Sequence, residues 1–342
     1  MNNTKKLTAI SLIALFAFSI ATVTLRSVAL FSSFDWNTMH FDNSGAFTVS
    51  AILVSIAAFA FLSFIFLAQK NFKLAPDSSA LGSFTPSGML SVALIFMSFS
   101  MIVNHYGKIN TAATGISKIT SYIPYALIVL ALLSAAFFFL SIMSSKRISD
   151  SKAALGMCSV AFLVLYGSYL FFTKDIHPTN SPNKIIDQMA YFSAAIFLLY
   201  ETRISLGRDM WKPYISFGLI SALLCAYSAI PAVILYFAKG DIISNSITET
   251  VLTLTLFVYI VAKLILTLSL PSDECCKFAE TIEKMAKARE EELAEKYEAA
   301  HAHDYNINEE NSAEDDGISD SAEQANEPTE GQISFELDGS EG

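Results

Sequence analysis

Cysteine, glycine and charge are all scarce in this chain of 342 residues, and each shortage removes a class of protein. Four cysteines, two of them adjacent at Cys275 and Cys276 and none in a Cys-x-x-Cys pattern, rule out a disulfide framework. The other two, Cys158 and Cys225, sit in apolar runs and read as packing. Only 16% of residues are charged while 53% are hydrophobic, the composition of a membrane protein.

Recognised catalytic signatures are missing too. There is no glycine-rich phosphate loop ending in Lys-Ser/Thr, no His-Glu-x-x-His, no Gly-x-Ser-x-Gly and no kinase signature. The reading therefore leans away from an enzyme, with no catalytic residue, no cofactor and no nucleic-acid partner. His40, His105 and His177 fall in separate segments whose spacing does not converge, so no metal site is expected.

What is present divides sharply in two. Residues 1–270 carry 17 Lys/Arg against 10 Asp/Glu, whereas residues 271–342 carry 5 against 22. The expected architecture is all-α: a polytopic transmembrane bundle over 1–270, a charged cytoplasmic helix over 271–302 and a disordered acidic tail over 303–342. Eight apolar runs are long enough to span a bilayer with some tilt, at about 7–25, 46–68, 87–103, 122–143, 153–172, 185–202, 214–238 and 247–270. Lys/Arg in the short loops favour one side, ten against six, which sets the N-terminus in the cytoplasm and, with eight spans, returns the C-terminus there. The look is that of a protein of the bacterial cytoplasmic membrane.

One stretch resists this simple picture. Between Asp187 and Glu201 only thirteen residues are uncharged, about 20 Å of helix against a hydrocarbon core of about 30 Å. The segment then runs through Arg203, Arg208, Trp211 and Lys212, an aromatic and basic membrane edge, to Pro213, read as a helix stop. Such a helix belongs inside a bundle, or its carboxylates dip into the membrane.

Spacing gives those charges addresses. Asp187 and Glu201 are fourteen residues apart, as are Glu249 and Lys263, and fourteen residues on a helix return to within about 40° of the same face. Two helices running in the same direction would set Glu201 against Lys263 as an intramembrane ion pair, and Asp187 against Glu249 near the other end. With Arg26 as counter-ion, Asp187 and Glu249 form a candidate ion or proton site. The competing account sends Asp187, Glu249 and Arg26 to the headgroups, because each lies within a turn or two of a helix end.

In the polar region, Phe278, Ile282, Met285, Leu293 and Tyr297 make a thin apolar stripe suited to a partner helix or short coiled coil. Ile333, Phe335 and Leu337 form an alternating apolar triplet in the acidic arm, a pattern by which short segments dock on a partner. The leading expectation is thus a non-enzymatic membrane anchor, scaffold or sensor that presents its acidic tail to a cytoplasmic protein. The alternative is a small-solute or ion permease using the intramembrane carboxylates.

Overall fold

A computed structural model describes residues 2–35, 38, 40–42, 45–67, 85–106, 117–143, 150–172, 181–205, 210–239 and 247–269, with 284, 287–288, 291–295 and 297 beyond them. Eight long helices account for almost all of this: α1 (Asn2–Ser32), α2 (Gly45–Leu67), α3 (Thr85–Tyr106), α4 (Ser117–Met143), α5 (Asp150–Phe172), α6 (Pro182–Ser205), α7 (Trp211–Lys239) and α8 (Ile247–Ser269). A two-stranded ribbon, β1 (Phe34–Asp35) with β2 (His40–Phe41), joins α1 to α2. Its Phe34 and Phe41 rings meet edge-on at 5.1 Å, and Phe34 joins Leu30 to Ala232 and Leu235 of α7.

Seven of the helices, all but α6, are long and apolar enough to cross a membrane. Their outward faces carry bare apolar side chains such as Ile13, Phe59, Phe99 and Phe237, the pattern of a bundle whose solvent is lipid. The first helix is longer than its apolar run implies, starting at Asn2 and ending at Ser32. Lysine at the N-terminal side, and Arg26, Ala29 and Leu30 at the C-terminal side, are good enough helix formers to extend it in both directions.

Neighbour relations follow the chain and then close on themselves. Each of α3 to α8 packs on the next, and α8 returns to α3, so these six form a ring. The α1–α2 pair packs on the outside of α7, which makes α7 the most enclosed helix of the bundle. α6 lies between α5 and α7. Its Ala190, Ala194 and Ala195 are buried, and small side chains let neighbouring backbones approach closely.

Local sequence explains the ends of α6 and α7. Ser181 precedes Pro182, whose missing N–H falls where a helix needs none, and the Ser181 carbonyl accepts the first bond from Ile185 N at 3.3 Å. Pro213 does not stop the preceding helix: α6 has ended at Ser205, and Pro213 sits in the first turn of α7, where proline is tolerated for the same reason. Trp211 is buried edge-on against Tyr214 at 5.6 Å.

Close approach of α6, α7 and α8 depends on Gly218. A Cβ there would lie 2.9 Å from Leu264 Cδ2 and 3.0 Å from Phe197 Cε2, both on fully buried side chains. At Gly167 of α5 the obstructing atom, 2.8 Å away, belongs to Phe192, which is 37% exposed and free to swing outward. Gly218→Ala is therefore expected to lower stability, its overpacking cost of about 1–3 kcal/mol exceeding the helix-propensity gain of about 1 kcal/mol. Gly167→Ala should be neutral or stabilising. Thermal unfolding midpoints of the two variants in one detergent measure the contrast.

The chain divides into two units, Met1–Lys287 and Ala288–Gly342. Within the second, Ala288, residues 291–295 and Tyr297 are helical, with Leu293 and Tyr297 exposed. Most of the expected 271–302 helix, the whole 303–342 tail and its triplet Ile333, Phe335 and Leu337 lie outside the described residues.

Candidate functional site

Two polar clusters lie inside the helices. The first gathers near the start of α6 and α8, with contributions from α1, α5 and α7. Arg26, on α1, is only 2% exposed. Its Nη2 donates to Asn183 Oδ1 at 2.9 Å, its Nη1 donates to the Tyr227 carbonyl, and its guanidinium carbon stands 4.8 Å from the centre of the Tyr227 ring. That carbonyl is available for a simple reason. Its helical partner would be the N–H four residues on, which is Pro231 and has none.

Asp187 is the nearby counter-charge, and its Oδ1 accepts a hydrogen bond from the Ser228 hydroxyl. Glu249 is served separately: Oε1 accepts from the Tyr166 hydroxyl of α5. One turn further on α8, Thr253 Oγ1 donates to the Glu249 carbonyl at 3.0 Å and lies 3.0 Å from the Tyr191 hydroxyl of α6. Asp187 and Glu249 then face a shared cavity, lined also by Tyr191, Ser228, Thr250 and Thr253. It opens outward, and its tight part admits about one water-sized guest.

Asp187 and Glu249 are each 7% exposed and enclosed by protein. Arg26 makes its hydrogen bonds to Asn183 and Tyr227, and it is a neighbour of Asp187 without being bound to Glu249.

The second cluster lies about four turns further along the same helices. Lys263 Nζ is 3.2 Å from Glu201 Oε1, and both side chains are buried. Tyr259, one turn before Lys263, donates its hydroxyl to the same oxygen at 2.7 Å and sets its ring 5.4 Å from the ammonium. Glu201 Oε2 is buried with no hydrogen-bond partner among the described residues.

Several participants carry no signal of their own in the sequence. Tyr166, Tyr191 and Tyr259 stand within apolar runs and read as core aromatics. Position relative to the charges is what marks two of them: Tyr191 is one turn after Asp187 and Tyr259 one turn before Lys263. Pro231 also held a readable clue, since a proline inside a span frees the carbonyl four residues earlier for a donor such as Arg26.

Among the described residues no group of three or more His, Cys, Asp and Glu is placed to hold a metal ion. No protein-family model, curated protein or solved structure matches the chain.

Proposed function

We propose that this is an eight-span membrane permease for a small solute or ion, with Asp187 and Glu249 as its proton- or cation-binding carboxylates and Arg26 as the fixed counter-charge of Asp187. The observation that carries the reading is that two carboxylates from different helices, both buried, border one water-sized cavity whose other polar lining is hydroxyl. Ionisable groups held at membrane depth inside a bundle mark ion and proton pathways. Both carboxylates line the same cavity, so a proton or cation entering it meets either one.

Counting α6 as the eighth span fits its surroundings. Its outward face carries Ile185, Met189, Phe192 and Ile196, α5 and α7 cover its flanks, and its two carboxylates have buried cations beside them. Arg26 stands by Asp187 and Lys263 by Glu201. Eight spans and the loop-charge bias put both termini in the cytoplasm, most simply of a bacterium.

The anchor or sensor reading has separate support in the charge split, with a charged helix at 271–302 and an acidic tail at 303–342 offering Ile333, Phe335 and Leu337 to a cytoplasmic partner. The two readings separate in one experiment. Wild-type protein, Glu249→Gln and a chain ending at residue 302 are reconstituted in vesicles of phosphatidylethanolamine and phosphatidylglycerol, and proton and sodium entry are followed with trapped dyes under an imposed potential. Expected are ion entry above that of empty vesicles for the wild type and the truncated chain, and entry at the empty-vesicle level for Glu249→Gln. Equal rates in wild type and Glu249→Gln, or no entry at all, would overturn the permease reading.

A further inference from the structure

Between the two polar clusters lies a second, water-sized cavity, bordered by five of the six ring helices. Its wall is almost wholly apolar, including Phe138, Phe162, Leu198 and Leu256, and two hydroxyls interrupt it, Ser134 of α4 and Ser159 of α5. The tight part again has room for about one water. Ser134 Oγ donates to the Leu130 carbonyl at 2.6 Å, which leaves its lone pairs free to accept. Ser159 is 2% exposed, and its Oγ has no hydrogen-bond partner among the described residues. A buried hydroxyl left unmatched is unfavourable, and a water between two hydroxyls is the ordinary remedy.

This cavity is one aromatic ring away from each cluster. On one side Phe162 stacks on Tyr166 at 5.7 Å, and Tyr166 is the donor to Glu249. On the other, Phe138 meets Tyr259 edge-on at 5.3 Å, and Tyr259 is the donor to Glu201. These contacts link α5 to α8, α4 to α8 and α6 to α8. α4 and α5 are not among the ring neighbours of α8, so the contacts span the interior of the ring.

We infer that the ion using this protein is the proton, and that it crosses along the ring axis from Glu249 to Glu201 by way of water held between Ser159 and Ser134. The inference rests on the permease reading and names its ion and its route. A metal cation stripped of water needs about six oxygen ligands, and this cavity supplies two, so the apolar middle excludes it. A proton needs only a chain of hydroxyls and water. At each hop one O–H bond breaks and another forms on the next oxygen, the electron pair staying behind. The proton leaves the Glu249 carboxyl, the relay water passes on a different proton from the one it takes up, and the unpartnered Glu201 Oε2 is the acceptor. Lys263 lies 3.2 Å from the other oxygen. Phe162 and Phe138 keep the water column short, so that passage depends on their rings giving way.

The test uses full-length protein in the same vesicles, with a trapped pH dye and a potassium diffusion potential set by valinomycin. Variants are Ser134→Ala with Ser159→Ala, which removes the relay hydroxyls, and Leu256→Asn, which adds a polar group to the cavity wall. The expected result is proton entry reduced to the empty-vesicle level in the double variant and raised above wild type in Leu256→Asn, a gain that misfolding does not produce. Wild-type entry in the double variant alongside loss in Glu249→Gln overturns the route and leaves the permease reading standing. Sodium entry without proton entry overturns the choice of ion only. No entry of either ion in the wild type overturns both, and Leu256→Asn at or below the wild-type rate overturns the apolar barrier.

Discussion

Lys263→Ala is expected to destabilise the bundle by about 3–5 kcal/mol, because it leaves the Glu201 carboxylate buried beside a tyrosine hydroxyl with no cation. The companion variant Glu201→Gln with Lys263→Met should recover most of that loss. Replacing both members of a buried pair removes the attraction and the desolvation cost together. Thermal or denaturant unfolding of the purified proteins in one detergent measures both. If the double variant unfolds as readily as Lys263→Ala, the pair is not what holds these two helices in register. A swap, Glu201→Lys with Lys263→Glu, is a harsher check. It keeps the charges but moves the Tyr259 hydroxyl from a carboxylate to an ammonium, and only partial recovery is expected.

Arg26→Met should cost a similar amount, again about 3–5 kcal/mol, by leaving the Asp187 charge without its neighbour. It also strips donors from Asn183 Oδ1 and from the Tyr227 carbonyl. Arg26→Lys restores the charge and not the fork, so one ammonium cannot reproduce the guanidinium's simultaneous contacts with carbonyl, amide and ring. Part of the loss has a specific cure. Adding Pro231→Ala to Arg26→Met supplies an N–H to the Tyr227 carbonyl and should return about 1–3 kcal/mol. In the wild-type background the same Pro231→Ala change offers a second donor to an oxygen already served, so its gain there should be smaller. That difference between backgrounds, read from unfolding midpoints, is the coupling between a proline and an arginine more than 200 positions apart in the chain.

The long helices were legible because a long apolar run has few alternatives in a chain so short of charge. The fourteen-residue spacings on α6 and α8 were legible for the same reason: a charge inside an apolar helix needs a partner at its own depth, and Glu201 and Lys263 had few to choose from. Lateral order was not written so plainly. Nothing in α3 says that it meets α8, because apolar faces rich in Leu, Phe and Ala fit many neighbours about equally well. The tyrosines were hidden by their chemistry, being apolar enough to pass for core until a carboxylate is known to stand at the hydroxyl end. Pro213 misled because a proline that ends one helix and a proline that opens the next look alike in sequence.

Arg26 also carries a consequence in time. Its hydrogen-bond partners on Asn183 and Tyr227 lie 157 and 201 residues downstream, and at about 5–20 residues per second a ribosome needs about 10–40 s to make them. For that interval α1 is complete while its guanidinium has nothing to hold. Its place only two turns from the end at Ser32 lets the long side chain wait among the headgroups and turn inward once α6 and α7 arrive. An arginine at the middle of α1 would have no such refuge, so the position of Arg26 along its helix suits the order of synthesis as well as the finished bundle.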